Sequence, residues 1–192
     1  KGLTLTLYGS YSHAIKSLET FMEKYPQNVY VRRNVIQENI DENLKGLIDS
    51  YFRQDDTLAL VSAYSDYKAK YLFNFRFDTT LFQTAVAHRK LGFFDEALDI
   101  LRFLETRSGG TVSELVQLEK AQALLEKGDL TEARNTAAKF LQQYPKSSYD
   151  AEARQLLARI YRQEKSSPRA LLVYQQTIQK YDQNKKPLLA EI

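Results

Sequence analysis

The stretch AQALLEKGDLTEA, residues 121–133, decides the fold of this chain. Its first half carries Ala121, Leu124 and Leu125 at helical spacing, and a single glycine, Gly128, follows. Because glycine readily adopts the left-handed conformation that ends a helix, Gly128 marks a turn between two helices. So short a connection makes neighbouring helices antiparallel. The stretch therefore predicts a helical hairpin.

Related hairpins recur along the 192 residues. Alanines within apolar helical segments are spaced 45, 38, 36 and 37 residues apart, and they are Ala14, Ala59, Ala97, Ala133 and Ala170. A period of roughly 34 to 40 residues is typical of stacked helical hairpins. Glycine and proline are scarce, 7 and 4 in all, and we expect them between the helices. The sequence predicts an all-α fold, an α-solenoid of stacked antiparallel helix hairpins.

The joint pattern resembles the tetratricopeptide repeat family. In that family a unit has a small residue in its first helix, an aromatic residue three later, a turn glycine, an aromatic or apolar residue two later, an alanine in its second helix and a proline at its end. Here His88 replaces the usual aromatic residue in one unit. The residues that carry the resemblance are Leu81, Ala85, His88, Gly92, Phe94, Ala97 and Leu101; Ala121, Leu124, Gly128, Leu130, Ala133, Phe140 and Pro145; and Leu157, Ala158, Tyr161, Ala170 and Tyr174. In the third unit Lys165 replaces the turn glycine. The resemblance implies that the hairpins stack into a right-handed superhelix. It also implies a non-catalytic protein that binds other proteins.

We expect one solenoid over residues 1–192. Its parts are a half repeat at 1–26, a degenerate repeat at 27–78, repeats at 79–110, 111–146 and 147–182, and a tail at 183–192. In the degenerate repeat Gln54-Asp55-Asp56 replaces the turn glycine. The long gap after Ala14 predicts an elongated first helix or an inserted turn within residues 27–45. Ser167 before Pro168 predicts the start of the last helix.

Two phrases resemble bacterial envelope proteins. FLQQYPKS at residues 140–147, echoed by FMEKYP at 21–26, is similar to repeats of outer-membrane assembly lipoproteins and of the periplasmic coordinator of the Tol-Pal system. The resemblance implies a place in the periplasm or cell envelope. Tyr-Pro also ends a helix for local reasons, since a residue before proline avoids the helical region. A cytoplasmic location therefore stays open.

Several function classes are disfavoured by composition. A net charge of +3, from 27 Lys and Arg against 24 Asp and Glu, is too small and dispersed for nucleic-acid binding. No cysteine is present, and no apolar run is long enough to span a bilayer. His13 and His88 lie in different repeats without an acid at ligand spacing, so we expect no metal or cofactor. We interpret His88 as a packing residue and Asp55-Asp56 as a helix start rather than a catalytic pair.

Partner-binding residues are predicted in two places. Aromatic residues crowd between Tyr64 and Phe82, where they either fill the core, as we expect for most, or form an exposed docking patch around Phe75 and Phe77. The resemblance places another set on the concave face of the solenoid: Leu44, Ile48, Tyr51 and Phe52; Phe82, Val86, Arg89 and Lys90; Leu118, Gln122 and Leu125; and Gln155, Arg159 and Arg162. The candidate site residues are Tyr51, Phe52, Phe75, Phe77, Phe82, Arg89, Lys90, Gln122, Arg159 and Arg162. A solvated face with incidental arginines is the alternative for Arg159 and Arg162.

The sequence thus predicts a non-catalytic scaffold or adaptor whose groove holds a peptide or helix of a protein partner. The assemblies we consider are envelope machines for outer-membrane assembly, export, pili or flagella. The alternative is a structural spacer, or a module that self-associates through exposed terminal repeats, within a longer protein whose active domain lies elsewhere.

Overall fold

The computed structural model describes residues 10–71, 77–107 and 111–189. Across these ranges the regular structure is helical and no strand is present, which confirms the all-α prediction. The chain divides into two compact units, Lys1–Leu91 and Gly92–Ile192. Each unit builds its own core from helical hairpins.

The first unit contains five described helices: α1 (Tyr11–Lys24), α2 (Val29–Arg32), α3 (Val35–Arg53), α4 (Thr57–Tyr71) and α5 (Asp78–Lys90). Helix α3 is central, because it packs against each of the other four. Apolar side chains from these helices, spaced three and four residues apart, form the core. Its largest fully buried members are Ile15, Ile40, Ile48, Leu60 and Leu81.

The second unit also contains five described helices: α6 (Phe94–Arg107), α7 (Thr111–Lys127), α8 (Leu130–Gln143), α9 (Asp150–Gln163) and α10 (Ser167–Leu189). Each helix packs against the next, and the first helices of successive hairpins, α7 and α9, also touch. The core runs from Leu98 to Val173 with Phe140 fully buried within it. Helix α10 begins at Ser167, as predicted, but continues to Leu189 through most of the expected tail.

Four left-handed residues follow helices α3, α5, α7 and α9 and show which positions of these helices are equivalent. Asp55, Gly92, Gly128 and Lys165 all have positive φ, of 55°, 82°, 94° and 57°, and are 37, 36 and 37 residues apart. After three of these turns a backbone N–H reaches back to the preceding helix: Asp56 to the Tyr51 carbonyl at 3.0 Å, Asp129 to Leu124 at 2.8 Å and Ser166 to Tyr161 at 2.8 Å. This pattern is the Schellman helix ending. The predicted glycine turns are confirmed, and Asp55 and Lys165 replace glycine in the same conformation.

This register corrects one member of the alanine series. Five residues after the left-handed position stand Ala97, Ala133 and Ala170, and in the first unit Leu60. Leu60 is buried, whereas Ala59 is only half-buried. The prediction that Ala59 continues the series was therefore wrong by one residue.

The predicted irregularity between residues 27 and 45 is an inserted turn. Helix α2 ends after four residues, Asn34 takes a left-handed conformation with φ 58°, and α3 then runs for 19 residues. The first helix of this repeat is thus both interrupted and long. Both alternatives drawn from the sequence are present together.

Candidate protein-interaction surfaces

The turns define which first-helix residues are equivalent. Seven residues before each left-handed position lie Ile48, Ala85, Ala121 and Ala158, and all four are fully buried. The next residue along each helix turns away from that buried row. These neighbours are Asp49, Val86, Gln122 and Arg159. These four neighbours lie on the side of the first helices that faces away from the core. We call that side the inner face of each unit.

In the second unit the inner face joins α7 to α9. The Arg159 guanidinium donates to the Gln122 side-chain oxygen at 3.4 Å, and the Gln122 amide donates to Glu126. Arg159 and Arg162 are exposed and lie one helical turn apart. The structure thus brings Gln122 and Arg159 together and presents Arg162 beside them.

In the first unit the inner face joins α3 to α5. Phe52 and Lys90 are exposed, and the Lys90 ammonium pairs with the Asp55 carboxylate at 2.6 Å. Because both charged side chains reach solvent, the pair contributes little to stability. Phe82 and Arg89 are half-buried on α5. A small cleft at this end of the unit is lined by Tyr51, Phe52, Asp55, Thr57, Leu60, Ala87 and Lys90.

Four residues expected on the concave face are instead buried in the cores: Leu44, Ile48, Leu118 and Leu125. In the first unit the cause is the position of the turn residue. Counted from Asp55, the inner-face positions of α3 fall one residue later in the sequence than expected. Tyr51 then aligns with His88, Leu124 and Tyr161 at an interior position, and it is half-buried. The same shift brings Lys45 and Asp49 onto the inner face, which our sequence reasoning missed. Treating Asp55 as the turn residue would have revealed both.

Phe77 does not protrude. It is half-buried just before α5, and the Lys45 ammonium lies 4.9 Å from the centroid of its ring. It lines a pocket of about 530 Å³ together with Asn34 and polar residues of α3. The α3 residues are Gln37, Glu38, Asn39, Asp41 and Glu42. Phe75, the other predicted anchor of the aromatic stretch, lies outside the described residues.

Of the other aromatic residues of this stretch, Tyr64 is a core residue. Tyr64 on α4 is buried and meets His88 of α5 edge to face, with ring centroids 5.7 Å apart. Burial raises the pKa of the Tyr64 hydroxyl to about 12. The His88 Nδ1 lies 2.8 Å from the Thr84 carbonyl, which holds the imidazole in place. Both side chains pack α4 against α5.

Among residues 10–71, 77–107 and 111–189, no three His, Asp or Glu side chains are placed to hold a metal ion. No helix in these ranges is both long and apolar enough to cross a bilayer. The pair Gly109-Gly110, which by its sequence we interpret as a flexible linker between repeats rather than a phosphate-binding loop, lies outside the described residues.

Solved structures share this fold at low sequence identity. A candidate kinesin light chain from Podosopora anserina with nearly identical TPR-like repeats is 16% identical, with 96% of this chain and 93% of that chain aligned and a TM-score of 0.66. MamA of strain AMB-1 is also 16% identical, with coverages of 100% and 93% and a TM-score of 0.60. A thermophilic TPR protein of Thermus thermophilus is 17% identical, with coverages of 93% and 87% and a TM-score of 0.53.

The family of the chain follows from comparisons of its sequence. No curated protein sequence matches the chain. The resemblance to outer-membrane assembly lipoproteins and to the Tol-Pal coordinator gains no support from any comparison and stays a prediction. The tetratricopeptide repeat model matches residues 82–148 and 118–185, which together span more than half of the sequence. The chain therefore belongs to the tetratricopeptide repeat family.

Proposed function

We propose that this protein is a non-catalytic scaffold that binds a segment of another protein on the inner face of its hairpins. Tetratricopeptide repeat proteins generally mediate protein–protein interactions. The observation that carries the proposal is the pairing of Arg159 with Gln122 across α7 and α9, beside the exposed Arg162. The polar side chains of Gln122, Arg159 and Arg162 therefore lie on the same inner face, on the neighbouring helices α7 and α9.

The chemistry of this surface suits a polar or acidic peptide segment. Arginine presents several donors in a fixed plane and binds carboxylates in a bidentate manner. Gln122 already accepts from Arg159 and donates to Glu126, and its second amide N–H and second oxygen lone pair suit a peptide backbone. The inner face of the first unit has its own apolar and charged side chains, since exposed Phe52 and Lys90 line the same small cleft. Aromatic and arginine side chains contribute most of the affinity in many interfaces.

The experiment reverses the charge of the inner face in the second unit. Proteins captured by the wild type are compared with those captured by Arg159→Glu/Arg162→Glu. A matched control, Lys139→Glu/Lys146→Glu, makes the same charge change at exposed positions of α8 and the loop after it. We expect the control to retain the partner and the inner-face variant to lose it, with direct binding then measured on the purified pair. Equal recovery by all three proteins would refute the proposal.

A second candidate function is self-association through the last helix. In α8, Arg134 and Leu141 lie six and thirteen residues after the left-handed Gly128. Arg134 donates to Glu164, and Leu141 packs against the core. The equivalent residues of α10, Leu171 and Ile178, are 57% and 61% exposed. Sedimentation of the wild type and of Leu171→Gln/Ile178→Gln tests this candidate. It predicts a concentration-dependent assembly that the variant dissolves.

A role in a bacterial envelope assembly rests on the phrase at residues 21–26 and the phrase at residues 140–147. Tyr144 in the second phrase packs against the core, and its hydroxyl lies 3.0 Å from the Ser113 hydroxyl, so packing is sufficient to explain the motif. Cell fractionation of the protein in its own organism distinguishes an envelope from a cytoplasmic location. Recovery in the cytoplasmic fraction would dismiss the envelope role.

A further inference from the structure

The sequence uses one local motif twice, with different results. In the loop after α8, the Ser147 N–H donates to the Tyr144 carbonyl at 3.0 Å, and the Ser147 hydroxyl accepts from the Tyr149 N–H at 3.1 Å. In the loop after α1, Asn28 makes the same two bonds with Tyr25 and Tyr30, both at 3.0 Å. Tyr25 and Tyr30 are therefore the local counterparts of Tyr144 and Tyr149.

The surroundings of the two pairs differ sharply. Tyr144 and Tyr149 are half-buried and pack against the core of the second unit. Tyr25 is 48% exposed and Tyr30 is 57% exposed. The same backbone motif that seats two tyrosines in one unit turns two tyrosines toward solvent in the other.

The exposure extends along the short helix α2. None of its four residues is buried, and Val29 is 48% exposed. Since α2 contributes no buried side chain to the core, stability of the core does not explain why its surface is apolar. Adjacent exposed apolar side chains on a folded protein often mark an interaction site.

The local sequence that carries these side chains has charge of one sign. From Lys24 to Gln37 the sequence contains no Asp or Glu. Lys24, Arg32 and Arg33 are all exposed, and the Lys24 ammonium lies 5.6 Å from the centroid of the Tyr25 ring. The surface therefore combines apolar side chains with three cations.

We propose that Lys24, Tyr25, Val29, Tyr30, Arg32 and Arg33, the α2 patch, form a docking surface for an acidic segment of a protein partner that also carries apolar side chains. Charge complementarity selects the acidic character, and Val29 and Tyr30 select the apolar contacts. Three cations are few for a nucleic-acid site, whose proteins commonly make about 6 to 10 phosphate contacts. A four-residue helix is far shorter than the amphipathic helices that lie on membranes. The α2 patch does not include any inner-face residue, so it is a second surface beyond the proposed function.

The test uses three labelled probe peptides of equal length, one rich in Glu and Leu, one in Lys and Leu, and one in Glu and Ser. Binding to the full chain is measured by fluorescence anisotropy at low and high salt. Two variants alter the α2 patch, Arg32→Glu/Arg33→Glu and Val29→Ser/Tyr30→Ser. The matched control is Phe103→Ser/Arg107→Glu, which removes an exposed aromatic and its stacked arginine from α6. Circular dichroism verifies that each variant folds.

We expect the Glu/Leu peptide to bind about tenfold more tightly than the other two, and each α2-patch variant to weaken it by about tenfold. Added salt weakens the binding, because exposed charges are screened. The Phe103 control leaves it unchanged. The α2-patch substitutions still weaken it in an Arg159→Glu/Arg162→Glu background, where the inner face no longer offers these two cations to an acidic peptide, and this separates the proposal from the proposed function. Wild-type binding by both α2-patch variants, or equal binding of the Lys/Leu peptide, would overturn it. So would tighter binding of a single-stranded oligonucleotide, or self-association of the wild type that the patch variants abolish.

Discussion

Left-handed residues follow four of the helices, α3, α5, α7 and α9, and only two of these residues are glycine. Gly92 and Gly128 adopt positive φ without a side chain to clash, whereas Asp55 and Lys165 adopt it with a Cβ. A left-handed residue other than glycine costs about 1 to 2 kcal/mol, partly offset by the entropy that glycine loses on folding. Lys165 is exposed, so its replacement changes the backbone strain with little effect on packing.

We therefore expect Lys165→Gly to stabilise the second unit by about 0.5–1 kcal/mol. The reverse change at the equivalent turn, Gly128→Ala, is expected to destabilise it by about 1 kcal/mol or more. Urea unfolding followed by circular dichroism measures both free energies. A destabilised Lys165→Gly protein would contradict the assignment of strain to this turn.

Gly46 contradicts the expectation that glycines lie between helices, because it stands inside α3. A Cβ added there would come 2.5 Å from the Cε1 atom of the Tyr11 ring. The absent side chain thus gives the first turn of α1 room to pack against the middle of α3.

We expect Gly46→Ala to destabilise the first unit by about 1–3 kcal/mol, because the Tyr11 ring must move. In a Tyr11→Ala background the same substitution is expected to stabilise by up to about 1 kcal/mol, since alanine favours the helix. Thermal unfolding of the four proteins of this cycle gives the coupling energy. Additive effects would show that the ring contact is not what selects glycine.

These residues also show where sequence reasoning succeeds. Gly92 and Gly128 were predictable because glycine is the usual residue at a left-handed helix end. Asp55 was not, because residues other than glycine are uncommon at positive φ. That single difference moved Ala59, Ile48 and Tyr51 out of their expected positions.

At the scale of helices, a buried carboxylate joins α9 to α10. The Asp150 Oδ2 atom accepts from Arg154 at 2.8 Å and from Lys180 at 2.8 Å, and it lies 3.3 Å from the Tyr181 hydroxyl. Burial alone raises the pKa of this carboxyl, but the hydrogen bonds and charges of Arg154 and Lys180 outweigh it, so the pKa lies below its usual value. The ionised form is therefore favoured in the folded state.

Asp150→Asn tests this network through its pH dependence. A lowered folded pKa contributes stability that is present above the ordinary value of 3.8 and is lost as pH falls through the folded pKa. We expect the variant to lose about 1–3 kcal/mol near neutral pH and progressively less below pH 3.8. Chemical unfolding across that range measures the difference.

The control for the network is Asp99→Asn, which breaks an exposed pair with Arg102 and is expected to change stability by less than about 0.5 kcal/mol. A cost of Asp150→Asn that stays constant with pH would exclude a role for its charge.

The helices themselves followed from apolar periodicity, and the long gap after Ala14 predicted an inserted turn as one of two alternatives, but the position of the break at Asn34 was not predicted. The loops after α1 and α8 start with equivalent tyrosines and the same hydrogen bonds, and yet only one leads into an uninterrupted helix. The difference is the left-handed Asn34, and asparagine occurs in helices often enough that its presence alone predicts no break. The α2 patch was for the same reason invisible in the sequence.

At the scale of the whole chain, stability is distributed between two units. In the second unit each helix packs mainly against the next one in sequence, whereas in the first unit α3 packs against the other four. The stability of repeat proteins is close to a sum of such local terms. Such proteins need not unfold in one cooperative step. The two cores provide separate positions at which to test this.

Phe140→Ala removes the largest fully buried side chain of the second unit and is expected to cost that unit about 3–5 kcal/mol. Ile48→Ala makes the matching change in the first unit, at about 2–5 kcal/mol. Native-state hydrogen exchange reports each unit separately. If the units are energetically independent, each variant lowers the protection of amides in its own unit and leaves the other unit nearly unchanged. An equal loss of protection in both units after either substitution would instead show that the chain unfolds as a single cooperative body, because a local cavity would then be felt by every amide.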